Sequence, residues 1–221
     1  MGERVERPGR GVVAGWLGLP EAALADVSEE VVEAMLARMA AQPPPASVLR
    51  DELLELMRGA ADRLRHEAET DALTGLPNRR AFERELRGAL GRRGADRALA
   101  LLVIDLDGFK AVNDRHGHVA GDAVLCEVSA RLRSALRSGD LVARWGGDEF
   151  VVLCHGVRDG AAAEIACKLR RVLQVPVQVG SVEVTVGASL GWAVAEPGQA
   201  PGELIAAADA AMYRAKAQEL E

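Results

Sequence analysis

The sequence predicts an α+β fold, with helices flanking a central, mainly antiparallel sheet and an all-helical segment in front of it. Three observations predict it. Ala98–Ile104 is a continuous apolar run of strand length. Gly146-Gly147 separates two short apolar runs, Leu141-Val142-Ala143 and Phe150-Val151-Val152-Leu153, the pattern of a β-hairpin. The remaining long stretches repeat their apolar residues at helical spacing. Strands and helices that alternate around one central hairpin make helices over a sheet. The chain divides at about residue 70 into a helical segment, 1–69, and a second domain, 70–221.

In chain order, residues 1–19 are rich in Gly and Arg and read as loose. Glu21–Ala40 reads as one helix. Asp26 and Glu29 have capping-box spacing, and Val31, Val32, Met35, Leu36 and Met39 form one apolar face. Gln42-Pro43-Pro44-Pro45 ends it as a stiff spacer. Ser47 then caps a helix that runs to about Glu69, about 33 Å long at ~1.5 Å per residue. Its Leu49, Leu53, Leu56 and Ala60 are heptad-like, and Leu54, Met57, Ala61 and Leu64 widen that seam. A face this apolar packs on the first helix or on the same helix of a second subunit. Asn78 caps the next helix, whose Phe82, Leu86 and Leu90 recur every fourth residue until Gly91–Gly94. The strand Ala98–Ile104 follows, then a polar stretch, a helix over about Val119–Arg137, the hairpin, and a helix near Ala161–Leu173. Strands at Val175–Val179 and Val182–Val194 turn at Gly180-Ser181, and a helix over Pro201–Glu219 closes the chain.

The totals narrow the function. The chain has 221 residues, 49% hydrophobic but only 3% aromatic, so its core is aliphatic. A net charge of −6 argues against a general nucleic-acid binder. Cys126, Cys154 and Cys167 are odd in number and lie in apolar runs, which reads as three buried, reduced thiols and a cytoplasmic setting. No apolar run reaches the roughly 20 residues of a membrane span, so no membrane insertion is expected. Gly11–Leu19 before Ala23-Leu24-Ala25 imitates a secretion signal, but its three glycines make a poor apolar core. Residues 1–69 hold no cysteine and one histidine, His66, so no haem or metal pattern marks them.

Chemistry concentrates at the hairpin. Asp148 and Glu149 follow the two glycines, which leave space for a ligand. Neighbouring carboxylates repel unless a cation lies between them, and hard oxygen ligands beside a phosphate-sized gap suggest Mg²⁺ with a nucleotide. A solvated acidic turn explains the same residues. Asp105 and Asp107 lie at the end of the strand that begins at Ala98. If that strand neighbours the hairpin, three or four carboxylates converge. Gly108-Phe109-Lys110 offers backbone N–H groups and an ammonium to phosphates. Asn113 and Asp122 suit a purine edge, although Asp122 also serves to open a helix.

Asp71-Ala-Leu-Thr-Gly-Leu-Pro-Asn-Arg79, Asp105-Leu-Asp-Gly-Phe-Lys110, Asn113-Asp114, Gly117-His118-Val-Ala-Gly121-Asp122 and Gly146-Gly-Asp-Glu-Phe150 together resemble the GGDEF family of diguanylate cyclases. The resemblance covers about residues 70–218. It implies a palm-like nucleotide-cyclase fold and the condensation of two GTP into cyclic di-GMP with release of two pyrophosphates. It implies Mg²⁺, with Mn²⁺ as the alternative ion, on Asp105, the Leu106 carbonyl, Asp148 and Glu149. Asp148, Glu149 and Lys110 are the catalytic candidates. Phe109, Lys110, Gly146, Gly147 and Lys216 would receive the phosphates, and Asn113 and Asp122 would read guanine. Arg137 and Asp140 match the family's R-x-x-D product-inhibition site, although a plain surface ion pair fits them too. One GTP per domain requires two domains face to face, hence a homodimer. Residues 1–69 would then be a regulatory or dimerisation segment.

One departure stands out. Leu220 occupies the position where the family's Gly-Arg-Asn places a phosphate-binding Arg. A catalytically weak GGDEF domain that senses GTP or cyclic di-GMP by binding is therefore the alternative to an active cyclase.

Overall fold

A computed structural model describes residues 8–41, 46–92 and 98–218. The chain packs as two units, Met1–His66 and Glu67–Glu221.

The first unit is helical: α1 Pro8–Leu17, a 3₁₀ turn Glu21–Leu24, α2 Glu29–Ala41 and α3, which spans Ala46–Glu69. Residues 8–17 are thus a helix, not a loose lead-in. Val13, Ala14 and Leu17 bury their side chains with Leu24, Val27, Val32, Met35 and Leu53. Arg10 is buried too, and its guanidinium donates to the carbonyls of Leu24, Ala25 and Val27. These carbonyls lie where the chain leaves a helical turn, and Arg supplies enough donors to satisfy all three. Glu21–Ala40 is not one helix, because the chain turns between the 3₁₀ turn and α2. Asp26 falls in that turn, and Ser28 O accepts the first α2 bond, from Val32 N at 3.2 Å. Ser47 lies inside α3 rather than capping it. Gln42–Pro45 and the Leu49 side chain lie outside the described residues. Along α3, Leu53 is buried, whereas Leu54, Leu56 and Leu64 are 39%, 49% and 65% exposed.

The second unit contains α4 Arg79–Gly91, β1 Leu99–Asp107, α5 Phe109–His116, α6 His118–Ala135, β2 Leu141–Gly146, β3 Glu149–His155, α7 Asp159–Leu173, β4 Val177–Val179, β5 Val182–Val184, β6 Gly187–Val194 and α8 Pro201–Gln218. The Asn78 carboxamide caps α4 by accepting from Ala81 N at 3.1 Å. The sheet order is β2-β3-β1-β6, antiparallel throughout. On β1, Leu102 and Ile104 face the core shared with α5, α6 and α7. Leu101 and Val103 face the core shared with α4 and α8. Burial on both faces is why β1 is apolar without alternation.

Three sequence readings are corrected here. The polar stretch after β1 folds as α5, which only Phe109 and Val112 mark as apolar. Val182–Val194 is two strands, because β5 pairs with β4 in a small second sheet while β6 pairs with β1. Of the three thiols only Cys154 is buried, and burial pushes its pKa up to about 12. Cys126 and Cys167 are exposed because each lies on the outer face of its helix. Among the described residues no helix is long and apolar enough to cross a membrane.

Candidate active site

The antiparallel register brings the acidic residues together. Asp105 on β1 is the cross-strand partner of Glu149 on β3, and Leu106 N donates to Asp148 O at 3.3 Å. The strand therefore runs three residues past Ile104 and carries Asp105 and Asp107 to the hairpin turn. Gly147 makes that turn with φ +54°, a left-handed conformation that a side chain would strain.

Arg144 fixes the turn from inside. Its Nε and Nη2 donate to Gly147 O at 3.0 and 2.7 Å. Its Nη1 donates to both carboxylate oxygens of Asp71, at 3.0 and 3.1 Å. Asp71 also accepts from Thr74 N at 2.9 Å and Thr74 Oγ1 at 2.6 Å. Burial alone would raise the Asp71 pKa, but these bonds outweigh it and hold the carboxyl below its ordinary value. Sequence reasoning gave neither residue a role. They lie 73 positions apart, so no local spacing betrays the pair.

Lys216 reaches the same edge from α8. That helix lies hard against β6, where a Cβ on Gly191 would overlap the Met212 backbone and fall 2.6 Å from Ala208 O. The Lys216 ammonium donates to Asp105 Oδ2 and lies 3.9 Å from Asp107 Oδ1. The bond to Asp105 raises the Lys216 pKa against the opposing effect of burial, and the charges of Asp105, Asp107 and Asp148 add to the rise. Ser189 Oγ donates to Asp107 at 2.8 Å. Burial raises the Glu149 pKa first, then the charges of Asp105, Asp148 and Asp209, while Arg79 opposes them. Asp209 is a further acidic contributor that sequence reasoning missed. It lies seven residues before Lys216, a spacing that places both on one helix face. Arg79 also stacks on Trp145 at 4.4 Å, and Trp145 meets Phe82 edge-on at 6.0 Å.

The other site candidates group by helix. Gly108 turns the chain from β1 into α5 with φ +74°. Phe109 is buried and Lys110 exposed in the first turn of that helix. The Asn113 amide lies against Gly121, in the first turn of α6 and immediately before Asp122. Arg137 and Asp140 stand just past the far end of α6. There Arg137 N and Nε donate to Asp140 Oδ2 at 3.3 and 3.4 Å. The Arg137 guanidinium is exposed while the Asp140 carboxylate is buried.

Among the described residues no three Asp, Glu, His or Cys side chains already stand close enough to hold a metal ion. The donor chemistry nonetheless fits a hard cation. Carboxylate oxygens dominate, the charges of Asp105 and Asp148 raise the proton affinity of Glu149, and the cation now lying on Asp105 is an ammonium.

The family model for "Diguanylate cyclase, GGDEF domain" matches residues 68–221. The chain belongs to the GGDEF family. It is 40% identical over 215 residues to the bifunctional diguanylate cyclase/cyclic di-GMP phosphodiesterase MucR of Pseudomonas aeruginosa, covering 95% of this chain and 30% of MucR. It is 40% identical over 203 residues to the diguanylate cyclase TpbB of the same species, covering 87% of this chain and 46% of TpbB. The chain thus spans less than half the length of these GGDEF relatives. The solved coiled coil and GGDEF domain of DgcB from Caulobacter crescentus, in complex with c-di-GMP, superposes with a TM-score of 0.70 at 29% identity. That match covers 78% of this chain and 94% of the DgcB chain.

Proposed function

We propose that the chain is a diguanylate cyclase that joins two GTP into cyclic di-GMP and releases two pyrophosphates. The observation that carries the reading is the register of β1 on β3, which sets Asp105 opposite Glu149 with Asp148 in the adjoining turn. Asp105, the Leu106 carbonyl, Asp148 and Glu149 would hold Mg²⁺ or Mn²⁺, which when bound acidifies the attacking 3′-hydroxyl and offsets charge developing at the α-phosphate. Asp148 or Glu149 takes the hydroxyl proton. Lys110 and the backbone at Phe109 receive phosphate oxygens, and Gly146 and Gly147 leave them room. Lys216 transfers its ammonium from Asp105 to the phosphate chain. Asn113 and Asp122 read the guanine edge.

A single site holds one GTP, so two copies of the chain meet across a two-fold axis. The exposed Leu56 and Leu64, eight residues apart on one side of α3, supply an apolar face for that pairing, and residues 1–69 regulate through it. Arg137 and Asp140 bind the product and restrain the enzyme. Free thiols and the proposed GTP substrate support a cytoplasmic reading.

The test is to incubate the purified chain with GTP and Mg²⁺ and separate the nucleotides by chromatography. Cyclic di-GMP from the wild type and none from Asp148→Ala is the expected result. Leu220 supports a second reading, a binding sensor of low turnover. It stands in place of a charge-assisted phosphate contact of about 1.5–3 kcal/mol, and residues 219–221 lie outside the described residues. GTP binding without product, at high protein concentration, would select the sensor.

A further inference from the structure

The crossing of α5 and α6 is closed by one missing side chain. Gly121 is buried in the first turn of α6. A Cβ there would overlap Asn113 Oδ1 and fall 2.9 Å from Asn113 Cγ and 3.2 Å from Phe109 Cζ. The backbone does not require glycine, since Gly121 is absent from the positive-φ residues and Ala is the better helix former. The obstruction falls on the tip of a movable side chain, not on main chain. A methyl group at 121 would therefore be absorbed by Asn113 turning away, with the helices left in place. Among the described residues no hydrogen bond holds the Asn113 amide, so packing alone sets its position.

We propose that Gly121 is a specificity-determining positioning residue: its missing side chain leaves the space in which the Asn113 amide stands to select guanine over adenine. The inference rests on Asn113 and Asp122 being the base-contacting pair. Guanine offers Asp122 two donors, N1–H and N2–H₂, and leaves an acceptor-rich edge that an amide in a fixed orientation can serve. At the corresponding positions adenine offers an acceptor, N1, and only a C2–H, and it carries a donor, N6–H₂, where guanine has the O6 acceptor. Moving the amide removes the Asn113 share of that discrimination, leaves the Asp122 share, and does not touch the phosphate ligands.

The test uses the full chain with Mg²⁺ and 3′-deoxyguanosine or 3′-deoxyadenosine triphosphate, which bind but lack the attacking hydroxyl. Calorimetry gives the ratio of their affinities for wild type, Asn113→Ala, Gly121→Ala and the double variant, with circular dichroism as a check of folding. Loss of one good base contact is worth about tenfold or more. Asn113→Ala and Gly121→Ala are each expected to lower the guanine preference by about that factor, and the double variant to match Asn113→Ala alone. A Gly121→Ala protein that keeps the wild-type ratio overturns the inference. So does one that weakens both nucleotides equally, or one whose loss persists undiminished when Asn113 is already alanine. If Asn113→Ala itself leaves the preference intact, or the wild type shows none, the base-reading assignment fails and the inference fails with it.

Discussion

The carboxylate edge and the α5–α6 crossing are held in opposite ways. At the edge, Arg144 binds the turn carbonyl and Asp71 together, Lys216 neutralises Asp105, and Ser189 holds Asp107. Arg144, Asp71, Lys216 and Asp107 each have two or more partners. At the crossing the Asn113 amide has contacts but, among the described residues, no bond, and its position depends on the space over Gly121. An over-determined edge suits chemistry, where a displacement of about 1 Å costs roughly 10²-fold in rate. A packed but unbonded amide suits recognition, because it reaches a ligand with its donor and acceptor unspent. Substitutions at the first region should act on rate and stability, and those at the second on which base is chosen.

The largest effect is expected at the turn. Asp148→Ala should lower cyclic di-GMP formation by about 10³-fold, as expected when a base or a charge-stabilising group is removed. Its melting temperature should change little, since the Asp148 contribution to the fold is a backbone carbonyl that alanine keeps. A variant that loses rate and stability together would place Asp148 among the structural supports instead. Arg144→Met comes next. It strips the Gly147 carbonyl of two donors and leaves the half-buried Asp71 without its ion pair. A loss of about 2–3 kcal/mol in stability and about 10²-fold in rate is expected, read by denaturant unfolding and by product formation. Retention of full rate would show that the turn holds its shape without this brace.

The same contrast explains what could be read from the chain. Gly146-Gly147 between apolar runs announced its hairpin, Ala98–Ile104 its strand, and Asn78 its cap, because each signal lies within a few residues. The meeting of Asp105 with Glu149 followed once β1 and β3 were neighbours. The Asp71–Arg144 brace did not, since nothing local to either residue names the other. Helix α1 was hidden because three glycines suggested looseness, whereas a buried Arg10 and an apolar face hold it. Helix α5 was hidden because only two of its eight residues are buried and apolar. The contact of Asn113 with Gly121 belongs to that missed helix, so it was hidden too.

A pH experiment sharpens the picture of the edge. The folded Asp71 carboxyl lies below its ordinary value, so it stabilises the fold above the unfolded pKa of about 3.9. That contribution is lost as pH falls through the folded value. Wild type should therefore exceed Asp71→Asn in stability at neutral pH, and the difference should close as the solution becomes strongly acidic. A gap that stays constant down to the acid limit would mean that neither Thr74 nor Arg144 favours the ionised carboxyl in the folded chain.

The smallest effect tests whether the edge extends to its aromatic flank. Arg79 lies over Trp145, mostly in solvent, and its charge opposes the rise of the Glu149 pKa. An exposed cation–π contact is worth about 0.5–1 kcal/mol, so Arg79→Met should lower the melting temperature by only about 1–4 °C. Methionine keeps an apolar cover on the indole, which limits the packing loss and leaves charge as the main change. If Arg79 belongs to the electrostatic edge, its removal lets Glu149 hold its proton to higher pH, and the rate profile should move in the alkaline direction. A variant with the small thermal shift and an unmoved profile would assign Arg79 to its contacts with Trp145 and Glu83 alone. The electrostatic boundary of the site would then lie at Glu149 itself.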